Sequence, residues 1–201
     1  LLMITEDGTG KKVSAASFHD VRASGIIAIK LSEGDKLVSV SAVTKSDSCI
    51  VVTTKGQSIR FKESDVREMG RTAGGVRTIK LKKGDRVIGA HPVPKETEKD
   101  AALLTMGANG YGKKTSIKEY KIQKRGGSGI KTSNVTAKTG QIIASAVVTG
   151  LEEEAVAMSK KSQVIRLGLS EIPSLGRILC SGVIPSQILL VIRITNRFQK
   201  T

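Results

Sequence analysis

A unit of about fifty residues recurs four times along this chain, and the repeat restricts the possible folds more than any other feature. Lys12, Arg60, Lys114 and Arg166 mark equivalent positions, 48, 54 and 52 residues apart. Eight residues before each anchor stands Ile4, Val52, Met106 or Met158, closing a short apolar run. Six residues after each stands Phe18, Val66, Tyr120 or Ile172. Eleven after, three units carry Arg71, Arg125 and Arg177, where the first has Ala23. A glycine follows at a nearly constant offset: Gly25, Gly75, Gly129, Gly182. The first two units then run in parallel, Gly25-Ile-Ile-Ala-Ile-Lys-Leu-Ser-Glu-Gly-Asp35 beside Gly75-Val-Arg-Thr-Ile-Lys-Leu-Lys-Lys-Gly-Asp85.

Each unit reads as four short strands. An apolar run opens it, and a turn at Asp7-Gly8, Lys55-Gly56 or Asn109-Gly110 leads into the anchor strand. A loop with Gly and Arg follows, then a third strand of period two over 76–81. Turns at Gly34-Asp35 and Gly84-Asp85 lead to a fourth strand at 37–40, 87–90 or 142–146. Four-stranded units at this period predict an all-β, propeller-like array of four blades, spanning 1–46, 47–98, 99–150 and 151–201, with little helix. Stacked hairpins or a sandwich are the alternative. In this register Tyr120 is a core residue rather than a catalytic tyrosine, and Cys49 an inert residue of an apolar strand. The four anchor cations would form either a basic rim suited to a bent duplex or ordinary solvated strand positions.

The charge balance points to a polyanion. Lys and Arg number 33 against 18 Asp and Glu, a formal net charge of +15. Residues 1–50 are neutral, 51–100 carry +5, 101–150 carry +7 with Glu119 as their one acid, and 151–201 carry +3. Aromatics are 2% with no Trp, so base stacking is poorly supplied, whereas duplex backbone binding needs only cations and amides. No apolar run is long enough for a transmembrane helix. Leu1–Thr5 reads as the cut end of a longer chain rather than a signal peptide, and a reducing, cytoplasmic setting is expected.

Few residues suggest catalysis. Gly107-Ala-Asn-Gly-Tyr-Gly112-Lys113 has the glycine and lysine spacing of a phosphate-binding P-loop. The following residue, however, is Lys114 rather than Ser or Thr, and a P-loop must open a helix. His19 and His91 have no nearby carboxylate or Cys pattern and read as surface or loop histidines. Cys49 and Cys180 lack zinc-site spacing, and Glu152-Glu153-Glu154 reads as a solvated linker. No cofactor or metal is expected.

The strongest constellation is Tyr120-Lys-Ile-Gln123-Lys-Arg-Gly-Gly-Ser-Gly129-Ile-Lys131, two cations flanking glycines that would let backbone amides approach phosphate. A flexible Gly-rich turn is the plainer reading. Gln123-Lys-Arg-Gly-Gly-Ser-Gly129 resembles, at six of seven positions, the box of the family formed by the C-terminal domain of the DNA gyrase A subunit. Ser128 stands where that box has a cation. Asn109–Thr115, Met69–Arg77 and Ile172–Arg177 also resemble blade loops of the family, over roughly residues 1–177. After Arg177 the chain departs from the pattern: Gly182-Val183 is in place, but the Lys-Leu and Gly-Asp pairs are missing.

The resemblance implies a β-pinwheel, in which neighbouring blades exchange a strand, and about four of the family's six blades. It implies a non-catalytic module that wraps double-stranded DNA for ATP-dependent negative supercoiling. The partners would be the catalytic core of the gyrase A subunit, together with the gyrase B subunit, in a chromosome-associated cytoplasmic bacterial enzyme. The DNA-binding residues it suggests are Lys113, Lys114, Lys118, Lys121, Gln123, Lys124, Arg125, Gly126, Gly127, Gly129 and Lys131. Arg60, Arg71, Arg77 and Lys80 would come from the neighbouring blade, and Lys12 and Arg166 from the rim. The matching domain of the topoisomerase IV A subunit, or a propeller serving as a protein-interaction scaffold, remains as an alternative.

Overall fold

The computed structural model describes residues 1–21, 23–150, 154–158 and 164–179, and the backbone of 193–195. Cys180, Gly182, Val183, Glu152 and Glu153 lie outside the described residues. The strands, in chain order, are β1 (Leu2–Thr5), β2 (Thr9–Lys12), β3 (Leu37–Ser41), β4 (Ser48–Thr53), β5 (Gln57–Lys62), β6 (Val76–Arg77), β7 (Val87–Val93), β8 (Ala102–Gly107), β9 (Gly112–Ser116), β10 (Ile130–Lys131), β11 (Ile142–Val148), β12 (Glu154–Met158), β13 (Val164–Gly168) and β14 (Arg193–Thr195). The helical turns among the described residues are four short 3-10 segments, at Ala15–Phe18, Glu63–Asp65, Ile117–Glu119 and Leu169–Glu171.

These strands form four antiparallel sheets, ordered β3-β1-β2-β6, β10-β5-β4-β7, β11-β8-β9 and β13-β12-β14. The apolar runs β1, β4 and β8 take interior positions and are buried on both faces, so they do not alternate in polarity. Period two sorts their side chains between neighbours instead. From β4, Cys49 and Val51 pack with Leu2, Ile4 and Phe61, whereas Ile50 and Val52 pack with Leu103, Ile117 and Tyr120. From β8, Leu103 joins that second cluster and Leu104 turns to Ala155, Leu169 and Ile172. A single strand thus glues two sheets. Each Ile, Leu or Val so buried contributes roughly 1.5–3 kcal/mol.

The slot six residues after the anchor is core, as its spacing predicts. Val66, Tyr120 and Ile172 are buried, and each donates its amide back across a 3-10 turn to Glu63 O, Ile117 O or Leu169 O. Tyr120 is 1% exposed, its hydroxyl 2.5 Å from Thr132 Oγ1, and burial raises its pKa. Cys49 is likewise buried, its thiol pushed up to about 12 by desolvation, so it is chemically quiet. The Gly84-Asp85 turn is a staple: Asp85 accepts from Thr53 Oγ1, Thr54 Oγ1, Lys55 N and Arg86 N at 2.8 to 2.9 Å.

The third strand departs from the expected run over 76–81. Only two residues pair, and they pair with the preceding unit: Thr9 opposite Arg77 and Gly10 opposite Val76, then Ser58 opposite Ile130 and Gln57 opposite Lys131. Each unit therefore completes the sheet before its own. The close approach demands glycine. A Cβ on Gly129, whose φ is +68°, would stand 2.2 Å from Ser58 O, and one on Gly75 would stand 2.7 Å from Gly10 O. His91 differs from the surface histidine its sequence context suggests. It lies in β7 with Nε2 2.8 Å from Ser145 Oγ of β11, at the contact between the second and third sheets. Desolvation lowers its pKa to about 4.

Two outcomes follow. Gly129→Ala should lower the unfolding free energy by about 2 kcal/mol or more, through left-handed strain plus backbone collision. Gly25→Ala, at φ +76° but with open space around it, should lose only about 1 kcal/mol. Denaturant titration separates the two. Because folding depresses the His91 pKa, protons bind the unfolded chain first, so stability present above about pH 6.5 is lost as pH falls toward about 4. Melting temperatures at pH 7.5 and 5.0 should show a smaller drop for His91→Gln than for the native chain.

Candidate nucleic-acid interface

The loop after each 3-10 turn reaches back over the preceding sheet on a repeated hydrogen bond. Met69, Gln123 and Leu175, each nine residues past its anchor, donate their amides to the carbonyls of Lys12, Arg60 and Lys114, all at 2.8 Å. Around the second of these bonds the Gln123–Gly129 loop is fastened along 77–80 of the preceding unit. Gly126 N donates to Thr78 O at 2.6 Å, and Lys80 N donates to Gly127 O at 2.8 Å. Gly126, Gly127 and Gly129 thus serve backbone-to-backbone contact; the amides of Gln123 and Gly126 are engaged within the protein rather than held ready for phosphate, as the sequence had suggested.

The anchor cations also differ from a free rim. Arg60 is 4% exposed; its Nε donates to Ser48 Oγ at 2.9 Å, NH1 donates to Tyr120 O at 3.3 Å, and NH2 lies 2.9 Å from Glu98 Oε1. The guanidinium holds the Glu98 carboxyl below its usual range. Lys12 pairs with Glu63, and Lys114 donates to Leu169 O, in both cases three residues past the next anchor. These three cations are inter-unit fasteners, because a charge at a buried junction must find a carboxylate or carbonyl. Arg166 alone of the four is exposed, 3.8 Å from Glu154. Lys113 is a further correction: it is 2% exposed and donates to Gly176 O at 2.9 Å and to Arg177 O. Its segment is the hairpin between β8 and β9, not a helix-opening phosphate loop. Arg125 points inward as well, Nε donating to Asp65 O at 2.7 Å and NH1 to Arg77 O at 3.0 Å.

What remains outside is a smaller, contiguous set. Arg77, Lys80 and Lys124 are exposed and stand on the two backbone segments just described, which hydrogen bond to one another. Lys121 and Lys131 flank the same loop, Lys131 Nζ 2.8 Å from Asn134 Oδ1, and Lys118 is exposed on the 3-10 turn before it. Arg71 is half-buried on the equivalent loop of the second unit. Exposed Lys30 belongs with them and was not singled out by composition; its signal was the parallel run, where it occupies the Lys80 slot. Fully buried Lys11 carried no sequence signal beyond its place next to an anchor. Among the described residues no group of three His, Cys, Asp or Glu is placed to hold a metal, and no helix is long and apolar enough to cross a membrane.

Four antiparallel sheets in series, with strands lent from one unit to the sheet before it and a belt of exposed cations on the connecting loops, define a strand-exchanged, propeller-type module with a basic edge. The family described as "DNA gyrase C-terminal domain, beta-propeller" matches residues 1–44, 47–94, 101–149 and 153–178. The DNA gyrase A subunit of Staphylococcus epidermidis is 37% identical over 177 residues, and that of Lawsonia intracellularis 39% over 176, each alignment covering 88% of this chain. The chain spans about a fifth of the length of these relatives. Among solved structures, the DNA gyrase A C-terminal domain superposes with a TM-score of 0.80 at 27% identity, covering 94% of this chain and 63% of that one. The C-terminal domain of DNA topoisomerase IV superposes at 0.86 and 22% identity, covering 94% and 59%, a likeness of fold. The chain belongs to the DNA gyrase C-terminal domain family.

The geometry separates Arg125 from its neighbour. Arg125→Ala removes two charge-assisted hydrogen bonds and should lower stability by about 1–3 kcal/mol, whereas Lys124→Ala should leave it within about 0.5 kcal/mol. Thermal denaturation of the two variants reads the difference.

Proposed function

We propose that the chain binds double-stranded DNA along its basic edge and wraps it, as the non-catalytic DNA-binding part of a gyrase A subunit. The single observation that carries this reading is the adjacency of Arg77, Lys80, Lys121, Lys124 and Lys131, exposed on rigidly fastened backbone. Cations on such a frame neutralise phosphates without reading bases, so binding is electrostatic and tolerant of sequence. Successive units, each adding its own loop, meet a duplex only if it bends, and deformability then becomes the discriminator. The names of the relatives support the wider assignment: negative supercoiling driven by ATP in the whole enzyme, in the cytoplasm and on the chromosome. The partners there are the catalytic core of the gyrase A subunit, together with the gyrase B subunit. A topoisomerase IV A subunit is the second reading, favoured by the higher of the two TM-scores; the Gln123–Gly129 box and the sequence identities favour gyrase.

A duplex length series at two salt concentrations tests the proposal. Affinity should rise as the duplex lengthens from one unit's span to several, and fall with salt at roughly 0.9 log unit per phosphate contact per log unit of salt. Bending costs on the order of a few kcal/mol, so contacts must accumulate over length. Replacing Lys121, Lys124 and Lys131 together by Ala should lower the salt slope by about 2 to 3 with the melting temperature retained. The pair Lys36→Ala and Lys45→Ala, in the neutral first quarter of the chain, should have little effect. Binding that is flat with salt and length sinks the reading.

A further inference from the structure

Each of the three junctions between consecutive units holds one cation against backbone carbonyls, but from different sides. At the first junction Lys11, wholly buried, donates to Ala28 O at 3.0 Å and to Arg71 O. At the third, Lys113 donates to Gly176 O at 2.9 Å and to Arg177 O. Lys11 and Lys113 each stand one residue before an anchor. Arg71 and Arg177 each stand eleven residues after the next one. The same repeat position therefore grips the same carbonyl twice. At the second junction the lysine slot is Ile59, fully buried in the apolar core and facing Gly127. There the loop arginine itself is the fastener, since Arg125 bonds Asp65 O and Arg77 O.

The side chains of the loop arginines follow suit. Arg71, gripped by its carbonyl, has no side-chain partner among the described residues and is half-buried. Arg177, gripped in the same way, stands with Nε 3.8 Å from Glu119 Oε2, a looser hold than the two bonds of Arg125. A buried ammonium satisfies the junction, so the guanidinium is not needed there; a buried isoleucine offers no donor, and the guanidinium turns in.

We propose that the residue preceding the anchor decides the use of the loop arginine in the next unit: lysine there releases the arginine to a phosphate of the bound duplex, and isoleucine retains it as a structural fastener. Lys11 and Lys113 are thus positioning residues for DNA contacts made by Arg71 and Arg177. The inference rests on the duplex-binding reading above. It assigns opposite roles to Arg71 and Arg125, which occupy one slot of the repeat and look interchangeable in the sequence.

The test uses the whole chain, a duplex long enough to span several units, and salt titration beside thermal melting. Arg71→Ala should weaken binding several-fold and lower the salt slope by about 1, with the melting temperature within about 2 °C. Arg125→Ala should do the reverse, melting several degrees lower with its salt slope unchanged. Lys11→Met should lower the salt slope as Arg71→Ala does, and Arg71→Ala should add nothing in that background. Lys11→Arg, which restores a donor, should recover the slope. If Lys11→Met does not fold, the contrast between Arg71→Ala and Arg125→Ala decides alone. The proposal is overturned, with duplex binding intact, if Arg71→Ala leaves the slope unchanged while the Lys121, Lys124 and Lys131 triple variant lowers it. If the triple variant has no effect either, duplex binding along this edge falls, and the proposal falls with it.

Discussion

One hydrogen bond, repeated three times, organises this molecule: the amide nine residues past an anchor returns to the carbonyl of the anchor before it. It is not part of any sheet ladder, yet it determines where each loop lies. Once Gln123 N is on Arg60 O, the next residues must run against 77–80, and β10 must fall beside β5. That register leaves no room for a side chain at Gly129. The spacing of the glycines, which looks like a phosphate-binding device when read along the chain, is imposed by protein backbone meeting protein backbone.

The same bond divides the positive charge into two populations. Cations that flank it, Lys11, Lys12, Arg60, Lys113, Lys114 and Arg125, lie where two units close over each other and water is largely excluded. A charge there is stable only with a carboxylate or several carbonyl oxygens around it, and each of these has found them. Cations on the outer side of the loops, Arg77, Lys80, Lys121 and Lys124, have water for a partner and stay available. A net charge of +15 therefore overstates the belt, because part of the basic content is consumed in holding it rigid. Rigidity matters for the proposed role, since electrostatic contacts spread over several units add up only if their spacing is fixed.

The fold was legible because repeats reveal themselves through hydrophobic spacing. The apolar runs, the turns at Lys55-Gly56 and Asn109-Gly110, the core slot at Val66, Tyr120 and Ile172, and the quiet Cys49 are consequences of burial within a unit of known period. The basic loop was legible too, through its charge and glycine content and its resemblance to the gyrase box. What misled was the equivalence the repeat suggests: four anchor cations in one slot read as one rim, yet Lys12, Arg60 and Lys114 are fasteners and Arg166 is exposed. His91 misled for a related reason, as Ser145 of the adjoining sheet is 54 residues away.

The sequence alone determined the architecture, four β units in series with their cores, because alternation and turn chemistry act over a few residues and recur four times. It also determined that the surface would be basic. Only the tertiary structure decided which cations are surface, since a lysine before an anchor and a lysine six residues later look alike until another unit is folded over one of them. That choice depends on contacts between residues some sixty positions apart, such as Lys11 with Arg71 and Arg60 with Tyr120. Burial by a neighbouring unit, more than residue type, separates a cation that holds the protein together from one that is free to hold a phosphate.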